Sequence, residues 1–215
     1  MSKKKFERIT ELVRRYPELV ICESSIKEAE RILSDTIKND KTIYTCGNGG
    51  SYSDSLHIVG ELLKGFVKQR PLDTVEKDML KEKFGEDGAF MAQNLQKGIR
   101  CAALGTQLAF HSAYSNDVES CLVLAQELYT VGNEGDTLIC LSTSGNSENI
   151  YYAALTAKIM GMKVILFTGS RAGKITNYAD YTIAVPSTET FKIQELHLPV
   201  YHALCLDLEE EFFDE

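Results

Sequence analysis

Two short loops of this sequence carry groups suited to binding a phosphate. The first is Gly47-Asn48-Gly49-Gly50-Ser51, and the second, from Ser142 to Ser147, reads Ser-Thr-Ser-Gly-Asn-Ser. Each loop follows an apolar run and opens a segment with helical periodicity, so backbone N–H groups and hydroxyls can face one anion. Ser147 is also placed to be the N-cap of its helix. Ser and Gly make ordinary turns too, but two such loops at matching positions favour phosphate binding.

The kind of phosphate compound is narrowed by what the loops lack. Tyr52 stands where a GxGxxG motif needs its third glycine, and no GxxxxGK[ST] motif occurs. Dinucleotides and nucleoside triphosphates are therefore disfavoured. Neither loop contains lysine, so hydroxyls and amides would hold the anion. This pattern predicts a monophosphate ligand, and a sugar phosphate is the natural candidate.

The elements that must position these loops alternate between strand and helix. Short, buried strands that alternate with helices indicate a parallel sheet covered on both faces. We predict an α/β fold, a three-layer αβα sandwich with a mostly parallel, flavodoxin-like five-stranded sheet. We expect one domain over residues 1–215, with N-terminal helices in 3–38 and a charged surface excursion of helix and loop at 67–100. The predicted strands are 41–46, 101–106, 136–142, 163–169 and 181–186, and the other predicted helices are 51–66, 115–130, 147–160, 173–178 and 190–212.

Composition excludes several classes of protein. The chain has 215 residues, 44% of them hydrophobic, and a formal net charge of −8. No apolar run reaches the roughly 18 residues of a membrane span. The negative charge disfavours direct binding to nucleic acid or to an acidic membrane. The N-terminus lacks an apolar signal core, and none of the six cysteines forms a CxxC pair. We therefore expect a cytoplasmic protein with core thiols rather than disulfides.

Three longer stretches carry a family resemblance. CGNGGSYSDSLHIVGEL, LSTSGNSENIYYAALTAKIMGMKVILFTG and IQELHLPVYHAL resemble the sugar isomerase (SIS) domain, and within it the phosphoheptose isomerases. The resemblance implies an aldose–ketose isomerase acting on sedoheptulose 7-phosphate. It also implies a homotetramer with active sites at subunit interfaces, and a zinc ion held by His57, Glu61, Gln194 and His202. The substrate-binding residues that we predict are Asn48, Gly49, Gly50, Ser51, Asp117, Ser142, Thr143, Ser144, Ser147 and Gln194.

The chemistry of such an isomerase assigns roles to two of these side chains. A proton must move between C1 and C2 through an enediol(ate), and another between the oxygens. Glu61 is our predicted general base and His202 our predicted general acid, and both double as metal ligands. His57 and Glu61 are four residues apart and share one helix face. Such a pair is more often a surface hydrogen bond, but it lies on the helix that the glycine loop opens.

The final helix leaves an ambiguity about its histidines. Gln194 and His197 are three residues apart and share a face, so spacing alone would pair them. Gln194 and His202 lie roughly 12 Å apart along a straight helix, although Pro199 can bend it. The resemblance favours His202, and His197 is then a packed or surface histidine. For His111 we find no partner and predict a structural role.

The sugar side of the predicted site departs from the family pattern. Phe191 stands where characterised relatives tend to have aspartate, and Glu189 is a possible replacement for that contact. The basic residue that relatives carry one turn after the glutamate falls at Gly65, beside Lys64. Asp117 either contacts a sugar hydroxyl or caps a helix, and the sequence leaves both open. These departures concern the identity of the sugar more than the isomerase chemistry.

Three functions remain in competition at this point. The leading hypothesis is an isomerase that makes a heptose 7-phosphate for lipopolysaccharide, capsule or another cell-surface glycan. The second keeps the aldose–ketose step and changes the sugar phosphate. The third is a non-catalytic SIS scaffold that binds a replication initiator protein. Retention of His57, Glu61, Gln194 and His202 together counts against a scaffold, which has no use for metal ligands and a base.

Overall fold

A parallel β-sheet forms the centre of the molecule. The computed structural model describes residues 6–213. Its strands are β1 Ile43–Gly47, β2 Cys101–Ala103, β3 Thr137–Leu141, β4 Lys163–Thr168 and β5 Tyr181–Ala184. Their spatial order is β2-β1-β3-β4-β5, and each neighbouring pair is parallel. The predicted flavodoxin-like α/β sheet is therefore confirmed.

Helices cover both faces of this sheet. Strand side chains alternate between the two faces: Ile139 and Leu141 of β3 join one apolar cluster, whereas Leu138 and Cys140 join the other. The first cluster packs under the two N-terminal helices, the helix after β1 and the C-terminal helix, and the second packs under the helices before and after β3. Within residues 6–213 the α-helices are α1 Glu7–Arg15, α2 Glu23–Lys38, α3 Gly50–Leu63, α4 Thr74–Asn94, α5 Leu108–Tyr114, α6 Val123–Val131, α7 Glu148–Ile159 and α8 Thr190–Phe212.

Five of the six cysteines lie in the core, as predicted for structural thiols. Cys46, Cys101 and Cys140 are in β1, β2 and β3, and all three are buried. Cys22 and Cys205 are buried as well, while Cys121 is partly exposed. These thiols fill apolar space between the sheet and its helices.

Two predicted helices are interrupted in the structure. The first of the helices predicted in 3–38, expected to run to about residue 18, ends at Arg15, because Pro17 opens a separate 3₁₀ segment, Pro17–Cys22. Residues 3–5 lie outside the described part. The predicted helix 115–130 is a π-helical turn, Ser115–Glu119, followed by a 3₁₀ turn and α6. The short segment predicted as helix near 173–178 is a 3₁₀ turn, Lys174–Asn177.

The charged excursion contains a surface helix. α4 begins with a capping box, in which Asp73 accepts from the Glu76 N–H and Glu76 accepts from the Asp73 N–H. It is kinked at Gly85 (φ 58°, ψ −124°). Nearly all of its side chains are exposed, with Gly88 and Ala92 buried. Among residues 6–213 no helix has the length and apolar character needed to cross a bilayer.

Candidate active site

The two loops predicted to bind phosphate lie side by side at the carboxyl ends of the strands, at the point where the strand order reverses. β1 leads into the glycine loop and β3 leads into the serine loop, and these strands are direct neighbours. The chain continues from β1 toward β2 on one side and from β3 toward β4 on the other. α3 and α7 therefore pack on opposite faces. The resulting crevice is the usual ligand position in open α/β sheets.

The glycine loop is shaped for close contact with α8. A Cβ at Gly50 would lie 2.8 Å from Gln194 Oε1, so a side chain there would displace the Gln194 amide. Gln194 Nε2 donates to Ser51 Oγ at 3.3 Å. The loop thus brings Gln194 onto the first turn of α3, while Ser51 is itself buried.

The serine loop is held by hydrogen bonds among its own residues. Ser142 Oγ donates to Ser147 Oγ at 3.1 Å, and the Asn146 N–H donates to Ser144 Oγ at 3.1 Å. Ser147 is the N-cap of α7, as predicted, but its hydroxyl makes no capping bond. The first-turn N–H groups of α7 have no intrahelical acceptor and can face an anion. Gly145 has φ +63°, a backbone conformation that favours glycine.

An amide pair joins the glycine loop to the first turn of α7. Asn48 Nδ2 donates to Asn149 Oδ1 at 2.9 Å, and Asn149 Nδ2 donates to Asn48 Oδ1 at 2.9 Å. Both residues line a cavity of about 240 Å³. His111, for which we predicted a structural role, lines the same cavity, and its Nε2 is buried without a hydrogen-bond partner. Residues lining the cavity are Gly47, Asn48, Gly49, Tyr52, Leu104, Gly105, His111, Leu124 and Asn149.

A carboxylate and two imidazoles gather between α3 and α8. His57 Nε2 lies 3.1 Å from Glu61 Oε1, and the His57 and His202 rings are 5.0 Å apart, edge to face. The Glu61 side chain is 14% exposed and that of His57 41%. Lys64 Nζ contacts Glu61 Oε2 at 3.3 Å, so a basic group does accompany this carboxylate. Burial and the neighbouring His57 lower the pKa of His202, while Glu61 opposes that shift.

The comparisons with known proteins agree with this geometry. A family model described as the SIS domain matches residues 6–84 and 85–169. The phosphoheptose isomerase of Leptospira biflexa is 36% identical over 189 residues, which cover 88% of this chain and 85% of that relative. This chain belongs to the phosphoheptose isomerase family of SIS-domain proteins. The resemblance noted from the sequence is therefore confirmed.

Solved structures of phosphoheptose isomerases have the same fold. The phosphoheptose isomerase GmhA from Neisseria gonorrhoeae aligns with a TM-score of 0.72 at 27% identity, over 93% of this chain and 94% of that one. The phosphoheptose isomerase from Francisella tularensis gives a TM-score of 0.70 at 27% identity, over 86% and 85% of the two chains. The similarity therefore spans most of the molecule and is not confined to the glycine and serine loops.

Membership of this family is consistent with a metal cofactor and a sugar phosphate substrate. The donor types agree, since imidazole and carboxylate are common zinc ligands. His202 Nε2 is buried without a hydrogen-bond partner, so no other protein atom competes with a metal for it. However, residues 6–213 hold no group of three or more His, Cys, Asp or Glu side chains arranged to bind a metal. The His57–Glu61 contact occupies two of the atoms required.

Other predicted site residues lie apart from this cluster. Gln194 contacts the first turn of α3 at Ser51, whereas His202 contacts its third turn at His57. Asp117 lies in the π-helical turn that begins the predicted helix 115–130, is exposed, and accepts from Asn116 Nδ2 at 2.8 Å. Its role remains a prediction.

The residues on the sugar side of the predicted site are solvent-exposed. Glu189 pairs with Lys192, and Phe191 is 56% exposed. Whether Glu189 takes over the contact of the missing aspartate also stays a prediction.

The packed interpretation of His197 is confirmed. Its side chain is fully buried, Nε2 lies 3.3 Å from the Thr168 carbonyl oxygen, and its ring meets Phe167 edge to face. Burial lowers the pKa of His197 to about 4. His197 therefore belongs to the core, where its contacts are with β4.

Two residues that the sequence reasoning missed lie directly behind His57. Tyr201 Oη is 3.0 Å from His57 Nδ1 and donates to Asp54 Oδ1 at 3.2 Å. Burial and the nearby Asp54 raise the pKa of Tyr201, and burial raises the pKa of Asp54. Their spacing was a usable signal, because Asp54 precedes His57 by three residues and Tyr201 immediately precedes His202.

A buried ion pair fixes the end of α3 beyond Glu61. Glu209 accepts from the N–H groups of Phe66, Val67 and Lys68 at 2.7, 2.9 and 3.1 Å. Arg70 Nε donates to Glu209 Oε1 at 2.9 Å, and both side chains are fully buried. These bonds turn the chain away from α3, which therefore ends at Leu63 rather than at the predicted residue 66.

Proposed function

We propose that this protein is an aldose–ketose isomerase that converts sedoheptulose 7-phosphate to D-glycero-D-manno-heptose 7-phosphate. The names of its relatives support the reaction. The observation that carries the proposal for this chain is the grouping of Glu61 and His57, on the helix that the glycine loop opens, with His202 of α8. A carboxylate beside imidazole is the equipment for moving two protons.

The reaction divides between the two ends of the site. Hydroxyls of Ser142, Ser144 and Ser147, with the first N–H groups of α7, would bind the phosphate and fix the position of the sugar. Glu61 takes a proton from C1 of the ketose, the C1–C2 double bond forms, and the electron pair of the carbonyl moves onto O2. His202 carries a proton between O1 and O2. Return of a proton to C2 then gives the aldose.

We propose zinc as the metal, one ion per site, held by His57, Glu61, Gln194 and His202. When bound, such an ion stabilises the negative charge that develops on an enediolate oxygen. His57 Nε2 and Glu61 Oε1 lie 3.1 Å apart, which suits two ligand atoms of one ion, since zinc bonds of about 2.1 Å place neighbouring ligand atoms roughly 3 Å apart. Equilibrium dialysis with zinc, read by elemental analysis, tests this apart from activity.

We further propose a cytoplasmic homotetramer with active sites at subunit interfaces. The exposed apolar side chains beside Glu61, Leu63 at 52% and Val67 at 66%, support a covered surface there. The buried free thiols support a reducing compartment. The heptose phosphate would supply lipopolysaccharide, capsule or another surface glycan. Light scattering of the purified chain tests the tetramer.

The experiment that tests the function is a direct assay with a panel of ketose phosphates, including sedoheptulose 7-phosphate. Glu61→Gln should lower kcat by roughly 10²–10⁴-fold, the usual contribution of a general base. Glu82→Gln, on the exposed face of α4, is the matched control and should keep full activity. Preferential turnover of another sugar phosphate would change the substrate assignment. An active Glu61→Gln variant would remove Glu61 from its role.

A further inference from the structure

We propose that Tyr201 and Asp54 are positioning residues that hold the proton of neutral His57 on Nδ1 and present the Nε2 lone pair beside Glu61. The contacts are observed in this chain, and only their significance for metal binding rests on the proposed function. Neither residue belongs to the predicted site set, and neither touches the reacting atoms.

The direction of each hydrogen bond follows from counting protons. A carboxylate has no proton, so Asp54 Oδ1 can only accept from Tyr201 Oη, 3.2 Å away. The hydroxyl of Tyr201 has a single proton, which this bond uses. Toward His57 Nδ1, at 3.0 Å, the same oxygen therefore offers a lone pair. Nδ1 must donate. A neutral imidazole carries one N–H, so its Nε2 is left as an acceptor.

The surroundings keep this arrangement in place. Tyr201 is 1% exposed, and its ring meets both His57 and His202 edge to face at centroid distances of 5.5 and 5.0 Å. Asp54 and His57 are three residues apart on α3, so both face α8. The contact thus ties the orientation of the His57 ring to the helix that carries His202.

The consequence appears at the other ring nitrogen. Nε2 lies 3.1 Å from Glu61 Oε1, and with the proton on Nδ1 two acceptors face each other. Without Tyr201, the simplest arrangement moves the proton to Nε2, where it would bond directly to Glu61 and block both atoms. The Tyr201–Asp54 pair therefore opposes that closed form. It would leave the Nε2 lone pair available to bind a cation, which a metal-binding histidine requires.

The test reads the tautomer directly. The full chain has four histidines, so ring-nitrogen NMR of metal-free, ¹⁵N-histidine-labelled protein at alkaline pH gives a small set of signals, and His57→Gln assigns the one in question. The wild type should carry its proton on Nδ1. Tyr201→Phe and Asp54→Leu should each move it to Nε2, the second because an unopposed Tyr201 hydroxyl would donate to Nδ1. Tyr129→Phe, at an exposed tyrosine on α6, should change nothing.

Three results would overturn the inference. They are a wild-type proton on Nε2, a doubly protonated ring under the same conditions, and an unchanged tautomer in whichever of the two variants folds. Zinc titration of the same proteins adds a second measure, because loss of such a supporting contact typically weakens metal affinity by about 10–100-fold. Unchanged zinc affinity after a tautomer shift would also count against it. The NMR result does not depend on which sugar the enzyme accepts. Failure of this inference can therefore be told apart from failure of the proposed function.

Discussion

Replacement of Arg70 by methionine should destabilise the protein strongly. Arg70 and Glu209 are fully buried, and the guanidinium also donates to the carbonyl oxygens of Leu62 and Glu61 at 2.9 and 3.3 Å. Removing one partner of a buried ion pair costs about 3–5 kcal/mol, because the remaining charge loses its compensation. Domains have only about 5–15 kcal/mol of stability. For a chain of this size the loss corresponds to a Tm lowered by roughly 6–20 °C.

Urea and thermal unfolding followed by circular dichroism measure this effect. The matched control is Arg100→Met, since Arg100 pairs with Asp40 at 2.8 Å with side chains 61% and 79% exposed. An exposed pair contributes about 0–1 kcal/mol. Because each partner compensates the other, Arg70→Met with Glu209→Leu should cost less than the sum of the single changes. Equal losses for Arg70→Met and Arg100→Met, or strict additivity in the double variant, would refute the reasoning.

Three further predictions concern the serine loop and two buried titrating groups. Gly145→Ala should lower the free energy of unfolding by roughly 1–2 kcal/mol, because a residue with a Cβ is strained in the left-handed conformation. The new Cβ would also lie 3.1 Å from Gly173 Cα. Denaturant unfolding curves measure the loss of stability, and KM for the sugar phosphate should rise. His197→Met should leave kcat within a few-fold of wild type. It should also remove a loss of stability between pH 6.5 and 4, since the neutral buried ring has its pKa lowered to about 4 and the folded state binds fewer protons there; a wild-type pH profile in the variant would contradict this. Burial raises the pKa of Asp207 from 3.8 to about 6, so in that pH window the folded state binds more protons than the unfolded state. The contribution of Asp207 to the free energy of unfolding therefore falls by about 3 kcal/mol as the pH rises through the window. Asp207→Asn should flatten this pH slope in urea titrations, and an unchanged slope would rule out this role for Asp207.

The fold was largely predictable because strand and helix signals were strong. Each predicted strand lies within about three residues of an observed one, since runs such as 164–167 in β4 are apolar and bounded by turns. The breaks were harder to foresee. Pro17 was a readable stop signal, whereas the π-helical turn at Ser115–Glu119 depends on packing that local sequence does not record.

The site was predictable in its parts rather than in its arrangement. Spacing placed His57 and Glu61 on one face of α3, and the grouping with His202 followed from α8 packing along α3. Helical spacing alone would have chosen His197, which the structure buries. The contacts of Tyr201 and Arg70 link segments more than a hundred residues apart in sequence. Local spacing places Asp54 and Tyr201 near His57 and His202, but which side chains pair across the helices follows from tertiary packing.

The reciprocal amide pair between Asn48 and Asn149 changes how ligand entry should be described. Each amide already has a donor and an acceptor satisfied by the other. A sugar that hydrogen-bonds to Asn48 must exchange bonds rather than add them, so its net gain there is near the usual 1 kcal/mol or below. A hydroxyl suits this exchange, because it can donate and accept at once. The glycine loop and α7 would then be joined through the bound sugar instead of through the Asn48–Asn149 hydrogen bonds.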